Sequence, residues 1–92
     1  MNQTEFINEY VNNNLNNSEN GNVKIVDDIF YHFDTPIIEK YNGKFILNAS
    51  NYSDVTRFLQ KKIRNVIPKE LIIEVNKVPI NFKGSLKEYV NE

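Results

Sequence analysis

The sequence predicts a small α+β domain in which two helices cover one face of a sheet of four to five strands, with antiparallel pairing dominant. Three observations predict this fold: two amphipathic helical patterns, over residues 3–15 and 53–67, apolar runs of strand length between and after them, and an Asn-Gly pair between two of those runs. The chain has 92 residues, 40% of them hydrophobic, which suits one domain with one core. We therefore predict a single domain over residues 1–92, with the element order α-β-β-β-α-β-β and a short final helix.

The first helix is predicted over residues 3–15, where Phe6, Ile7, Tyr10, Val11 and Leu15 recur at helical spacing. Asn2 stands at the N-cap position and Glu5 follows three residues later, which is the spacing of a capping box. The polar stretch that follows, residues 12–22, contains a glycine and is predicted to be a loop.

Three strands are predicted next, over residues 23–33, 37–41 and 44–47. The first is interrupted at Asp27-Asp28, which indicates a turn or a bulge. Asn42-Gly43 separates the other two and predicts a tight hairpin, because both residues accept the positive φ angles of a type I′ turn. Pro36 has no N–H to donate, so it predicts either a bulge or an edge position.

The second helix is predicted over residues 53–67, with Ser53 as N-cap and Pro68 just beyond its end. We expect a buried stripe that consists of Val55, Phe58, Leu59, Ile63 and either Val66 or Ile67. Residues 71–75 then predict a strand, paired with an edge strand over residues 78–82 that contains a proline. Residues 85–90 predict a short helix with Leu86, Tyr89 and Val90 facing inward.

Charge is divided between the two parts of the chain, although the net charge is only −1. Residues 1–39 carry seven acids and one base, whereas residues 40–92 carry ten bases and five acids. A near-neutral protein can therefore present a local positive surface that steers association with an acidic partner. Two copies could also pair acidic with basic surfaces, so a homodimer is a further expectation.

The candidate partner-binding residues are Arg57, Lys61, Lys62 and Arg64, on the second predicted helix. Arg57, Lys61 and Arg64 share one helical face, with Lys62 at its margin. The alternatives are a surface for an acidic protein, a phosphate-contacting surface for nucleic acid, and a solvated helix face with no partner. The balanced overall charge argues against nucleic acid.

No catalytic, metal-binding or cofactor-binding pattern stands out, so we predict a protein that is not an enzyme and has no cofactor. There is no cysteine, no phosphate-binding loop and no hydrolase motif. His32 with Asp34 two residues later is the one pair that acid–base catalysis would suggest, and no nucleophile stands near it. Asp27, Asp28 and Asp34 lack the spacing of a cation site. The start of the second helix, residues 52–56, has the hydroxyls of an anion site, but helix capping explains the same residues.

No apolar run reaches the roughly 20 residues of a membrane span, and the acidic N-terminus does not read as a signal peptide. We therefore expect no membrane partner and a cytoplasmic location.

A recognisable pattern runs through residues 31–64 and consists of Thr35-Pro36-Ile37, Asn42-Gly43, Ile46-Leu47-Asn48, Tyr52-Ser53, Thr56, Gln60 and Ile63-Arg64. This pattern resembles that of a group of small phage and mobile-element proteins. Two positions depart from the pattern: Leu59 stands where that group has His, and Val55 stands where it has Thr. The resemblance implies a phage-encoded accessory protein that acts by protein–protein contact in a bacterial host, including inhibitors of defence systems such as anti-CRISPR proteins.

Overall fold

Six strands in chain order form a single mixed sheet in the computed structural model, which describes residues 1–13 and 15–90. The helices are α1 (Gln3–Asn13) and α2 (Asp54–Val66). The strands are β1 (Ser18–Asn20), β2 (Val23–Val26), β3 (Ile29–His32), β4 (Thr35–Tyr41), β5 (Lys44–Asn48) and β6 (Ile72–Val75). Two 3₁₀ turns, Lys69–Leu71 and Leu86–Tyr89, complete the described elements. The α+β class is confirmed.

The strand count and the element order differ from the sequence-based expectation of four to five strands. The segment predicted as a polar loop contains β1, which pairs with β2. The segment predicted as one interrupted strand forms β2 and β3, joined through Asp27 and Asp28, both at positive φ. Asp tolerates that left-handed conformation better than most residues, which explains why the turn falls there. The predicted hairpin at Asn42-Gly43 joins β4 to β5.

The prediction of a strand over residues 78–82 is wrong, and β6 instead pairs in parallel with β5. Helix α2 connects these two neighbouring strands, and a helical crossover of this kind joins parallel strands. Lys77 and Asn81 adopt positive φ angles on either side of Pro79, which has no N–H to donate. These features stop a continuous strand over this stretch. The final helix is reduced to a 3₁₀ turn, in which Leu86 is buried and Tyr89 is half-buried.

A bulge in β4 resolves the position of Pro36. Phe30 pairs with Ile38 and Tyr31 pairs with Pro36, so Ile37 is an extra residue on β4. Ile37 and Ile38 are both fully buried as a result. From the sequence, Pro36 was compatible with either a bulge or an edge strand. The structure has the bulge, because β4 lies between β3 and β5 and is not an edge strand.

Residues pack against both faces of the sheet. On the first, which we call the helix face, α1 contributes Phe6, Ile7 and Tyr10 and α2 contributes Leu59 and Ile63 to the larger core cluster. On the opposite face, residues 76–90 form a smaller cluster in which Val78 and Leu86 pack with Ile46 and Val75. Strand β5 is therefore buried on both sides.

Glu39 holds the C-terminal segment on that opposite face. The residue is 5% exposed, and its carboxylate accepts hydrogen bonds of 2.7 Å from Ser85 Oγ and from the main-chain N–H of Leu86. Lys87 Nζ lies 3.8 Å from the same carboxylate. These contacts satisfy a carboxylate whose burial without partners would be strongly unfavourable.

Helix α2 is rotated relative to the expected buried stripe. Leu59 and Ile63 are buried as predicted, but Phe58 is 64% exposed and Val55 is 59% exposed, so both of these expectations are wrong. Thr56 and Gln60 take the inward positions instead. At 100° per residue, the change amounts to a rotation of roughly 80° about the helix axis. The cause is the hydrogen bonding of Thr56 and Gln60 within the core, described below.

Candidate binding surfaces

The four bases predicted as partner-binding residues are all exposed on α2, but they do not form one uniform patch. Arg64 Nε lies 3.1 Å from Glu74 Oε2 of β6, and Arg57 lies 3.6 Å from Asp54 on its own helix. Lys62 points to the other side, where its Nζ donates to Gln3 Oε1 of α1 at 2.9 Å. The bases that share a flank are therefore Arg57, Lys61 and Arg64, on the side of β6.

A second surface is a cleft of about 360 Å³ at the start of α2, which we call the His32 cleft. It lies between the β3–β4 turn, the first turn of α2 and the segment after Val78. Its lining carries no charged carboxylate, ammonium or guanidinium group, and consists of His32, Phe33, Thr35, Tyr52, Ser53, Thr56, Ile80 and Asn81.

His32 is the buried polar side chain of this cleft. The residue is 3% exposed, and its Nδ1 lies 3.0 Å from Thr56 Oγ1. Its Nε2 is buried without a hydrogen-bond partner among the described residues. Burial lowers the pKa of His32 below its ordinary value of 6.5, because the charged imidazolium loses its hydration. His32 is therefore neutral at physiological pH.

Asp34 does not orient His32, contrary to the pairing that the sequence suggested. Asp34 lies in the turn after β3, its side chain is 70% exposed, and it pairs with Lys24 at 3.3 Å. With Thr56 as the histidine's partner, the arrangement lacks the carboxylate that orients a catalytic histidine.

The capping predictions at both helix starts are confirmed. The Oγ of Ser53 accepts a hydrogen bond of 3.3 Å from Thr56 N, at the start of α2. At the start of α1, Asn2 and Glu5 exchange two hydrogen bonds of 2.8 Å between side chain and main chain. The hydroxyl of Ser53 is thus engaged in capping.

The side chains of Asn48, Tyr52 and Gln60 form a buried polar network beneath the cleft. Asn48 Nδ2 donates to the carbonyl of Pro36 and to Tyr52 Oη, both at 2.9 Å. Gln60 Nε2 donates to the carbonyls of Asn48 and Ser50, at 2.8 and 3.1 Å. These bonds tie α2 to the end of β5 and explain why Gln60 faces inward. The network gives these residues a structural role.

The same network anchors the segment that follows β6. Tyr52 Oη donates to the carbonyl of Val78, and Ser50 Oγ accepts from Val78 N at 3.0 Å. Thr35 Oγ1 accepts from Asn81 N at 2.9 Å. Side chains therefore replace the strand pairing that the sequence predicted for residues 78–82, and they hold Ile80 at the cleft.

Two exposed apolar side chains flank the cleft, and the sequence pattern indicated neither of them. Phe33 is 59% exposed and Ile80 is 69% exposed. The Phe33 ring lies 4.6 Å from the His32 ring, centroid to centroid, and its main chain has φ +56°. A positive φ is rare for a bulky residue and costs on the order of 1–3 kcal/mol. Asp34 was the available local signal for a turn after β3. The exposure of the Phe33 ring had no signal in the sequence.

Residues 1–13 and 15–90 contain no group of three or more side chains of the types that ligate metals. Over the same ranges no helix is long and apolar enough to cross a membrane.

The protein is an α+β domain with a six-stranded mixed sheet. Comparison with models of protein families, with curated proteins and with solved structures gave no match to this chain.

Proposed function

We propose that the protein is a binding module that acts by contact with another protein, and that the His32 cleft and its rim are the contact surface. The observation that carries this proposal is the exposure of Phe33 and Ile80 at one concave site. Exposed apolar side chains around a cavity are typical of protein interaction sites, and aromatic residues contribute strongly to such contacts.

The neutral lining determines the kind of group that fits the cleft. Hydroxyl and amide groups from Thr35, Ser53 and Asn81 line it together with the apolar side chains. A charged group would lose hydration there without gaining an opposite charge. We therefore propose that the partner inserts an uncharged side chain with an apolar body and a polar tip.

The strained main chain of Phe33 also supports this proposal. Residues in unfavourable φ/ψ regions concentrate at functional sites, where the surrounding structure maintains them. No core packing requires the Phe33 ring, since more than half of it is exposed.

The wider role that we propose is interference with a bacterial defence complex by a phage-encoded protein. The support for this step is the resemblance over residues 31–64, together with a small domain that offers binding surfaces and no catalytic constellation.

The test compares capture of partners from a bacterial lysate by wild type, by Phe33→Asn and by Ile80→Ser. Asn adopts positive φ readily, so Phe33→Asn relieves strain while removing the ring, and stability should fall by no more than about 0.5 kcal/mol. We expect both variants to lose a partner that wild type retains.

Phe58→Ser is the matched control, because Phe58 is equally exposed but does not line the cleft. Capture that survives both cleft substitutions would contradict the proposal. Capture that disappears after nuclease treatment, or that falls steeply with salt, would instead indicate nucleic-acid binding by the basic residues of α2.

A further inference from the structure

The outer edge of β6 carries unpaired main-chain groups. Val75 O accepts from Ala49 N at 2.8 Å, so Val75 and, by strand alternation, Ile73 direct their main-chain groups toward β5. Ile72 and Glu74 therefore direct theirs away from β5. Ile72 N–H already donates to Lys69 O. The carbonyl of Ile72 and both main-chain groups of Glu74 have no partner among residues 1–13 and 15–90.

The two edges of the sheet differ in character. Strand β1, at one edge, has three polar residues, Ser18, Glu19 and Asn20. Strand β6, at the other edge, has three β-branched apolar residues in four positions. Proteins usually protect free edges with short, polar or covered strands. By these criteria β1 is protected, and β6 is an open template for another strand.

Open grooves flank β6 on both faces of the sheet. On the helix face, a groove of about 350 Å³ is lined by Arg64, Lys69, Ile72 and Glu74. On the opposite side, a space of about 430 Å³ is lined by Glu74, Val75, Asn76, Lys77, Glu88 and Tyr89, of which Val75 and Tyr89 supply the apolar surface. Successive side chains of a strand point to opposite faces, so a strand added at β6 would place its side chains alternately in these two spaces.

The charge on the helix face selects the chemistry of the added strand. The contact of Arg64 with Glu74 shows that the flank of α2 with Arg57, Lys61 and Arg64 faces β6. With Lys69, these residues supply four bases, against three acids on the same stretch, Asp54, Glu70 and Glu74, so bases remain in excess. A second copy paired edge to edge would bring two such positive flanks together, whereas an acidic strand would be attracted.

We infer that the free edge of β6 binds an extended acidic segment of a partner protein as a seventh strand. Carboxylates at alternate positions face Arg57, Lys61, Arg64 and Lys69, and the intervening apolar side chains enter the space beside Val75 and Tyr89. Main-chain bonds to Glu74 supply affinity that does not depend on sequence, and the charges supply specificity. This edge lies apart from the His32 cleft, so the inference is independent of the function proposed above.

The probe is a short capped peptide in which Glu and Val alternate, titrated into isotope-labelled protein and followed by NMR. We expect saturable shifts of the main-chain amides of Ile73, Glu74 and Val75. A matched peptide with Lys in place of Glu should give no saturable shifts.

Two substitutions at one position separate main-chain pairing from charge. Glu74→Pro removes the outward N–H at a position where a free edge tolerates proline, and it should weaken binding by about tenfold or more. Glu74→Gln keeps the N–H and removes a competing acid beside Arg64, so it should bind the peptide at least as tightly as wild type.

Charge reversal provides a test that does not depend on how well Glu74→Pro folds. The double variant Lys61→Glu, Lys69→Glu should no longer bind the acidic peptide. The double variant Lys62→Glu, Lys83→Glu changes the net charge by the same amount but lies away from this groove, so it should still bind the peptide.

Three results would overturn the inference: equal loss of binding with the two reversed pairs, shifts confined to β1 or to the His32 cleft, or no saturable binding of the acidic peptide. Light scattering that shows a dimer which Glu74→Pro converts to a monomer would also overturn it, because a second copy would then occupy the edge.

Discussion

His32 Nδ1 and Thr56 Oγ1 lie 3.0 Å apart, and this contact joins the end of β3 to the first turn of α2. Both residues are at least nine-tenths buried. Neither nitrogen of His32 has another hydrogen-bond partner in the described part of the chain. This side-chain hydrogen bond links two residues 24 positions apart and fixes the first turn of α2 against the end of β3.

Removal of this hydroxyl should destabilise the fold. Thr56→Val keeps the volume but leaves Nδ1 of His32 unpaired, which should lower the free energy of unfolding by about 1–3 kcal/mol. Thr56→Ser retains the hydroxyl and serves as the control in urea unfolding. Equal stability of the two variants would show that the hydrogen bond contributes little.

His32 should also make stability depend on pH. Its pKa in the folded protein is lowered, whereas the unfolded chain takes up a proton near pH 6.5. Below that pH the unfolded state binds more protons than the folded state, so the contribution of His32 to stability falls as pH falls. No charged residue lines the His32 cleft, and Asp34 and Lys24 pair with each other.

The measurement compares wild type with His32→Gln by urea unfolding between about pH 7.5 and about pH 5. Carboxylates titrate in both proteins, so the difference between them isolates His32. We expect wild type to lose more stability on acidification, and parallel curves would refute this role of His32.

The rotation of α2 predicts opposite results for two adjacent residues. Leu59 is 1% exposed, so Leu59→Ala should cost about 2–5 kcal/mol of stability. Phe58 is 64% exposed, so Phe58→Ala should change stability by no more than about 0.5 kcal/mol. Thermal unfolding of both variants tests the orientation of the helix, and a large loss with Phe58→Ala would place that ring in the core.

Glu39 should be essential for docking of the C-terminal segment. Glu39→Ala leaves the buried N–H of Leu86 without its acceptor and should cost about 1–3 kcal/mol. Amide exchange at Leu86 should accelerate as well, since this segment would detach before the whole fold opens. Glu88→Ala is the control, because Glu88 is an exposed acid of the same turn. Unchanged protection of Leu86 would contradict this account.

The basic flank of α2 should affect association more than stability. Combined substitution of Arg57, Lys61 and Arg64 by alanine should leave the melting temperature close to that of wild type, since exposed positions rarely cost more than about 0.5 kcal/mol each. The association rate with an acidic partner should fall toward the rate that wild type shows at high salt. A variant that melts normally and associates at the wild-type rate would assign these bases to solvation.

Local patterns in the sequence were sufficient for the elements that depend on short-range chemistry. The capping residues Asn2 and Ser53 start the helices, and Asn42-Gly43 turns the hairpin, because each acts within a few residues of itself. The α+β class follows from the same local signals. The run of β-branched residues also located β6, but the partner predicted for it, a strand over residues 78–82, was wrong.

Long-range contacts decided the features that matter for binding. Periodicity favoured burial of Phe58, but hydrogen bonds from Gln60 to Asn48 and Ser50 turn the helix and expose that ring. The segment after β6 leaves the sheet because Ser50, Tyr52 and Thr35, distant in sequence, bind its main chain. The sequence by itself determined where the two helices begin and where the β4–β5 hairpin turns, because those signals are local. Only the tertiary structure decided which side chains face solvent at the His32 cleft and which sheet edge stays open, because both depend on polar partners more than ten residues apart.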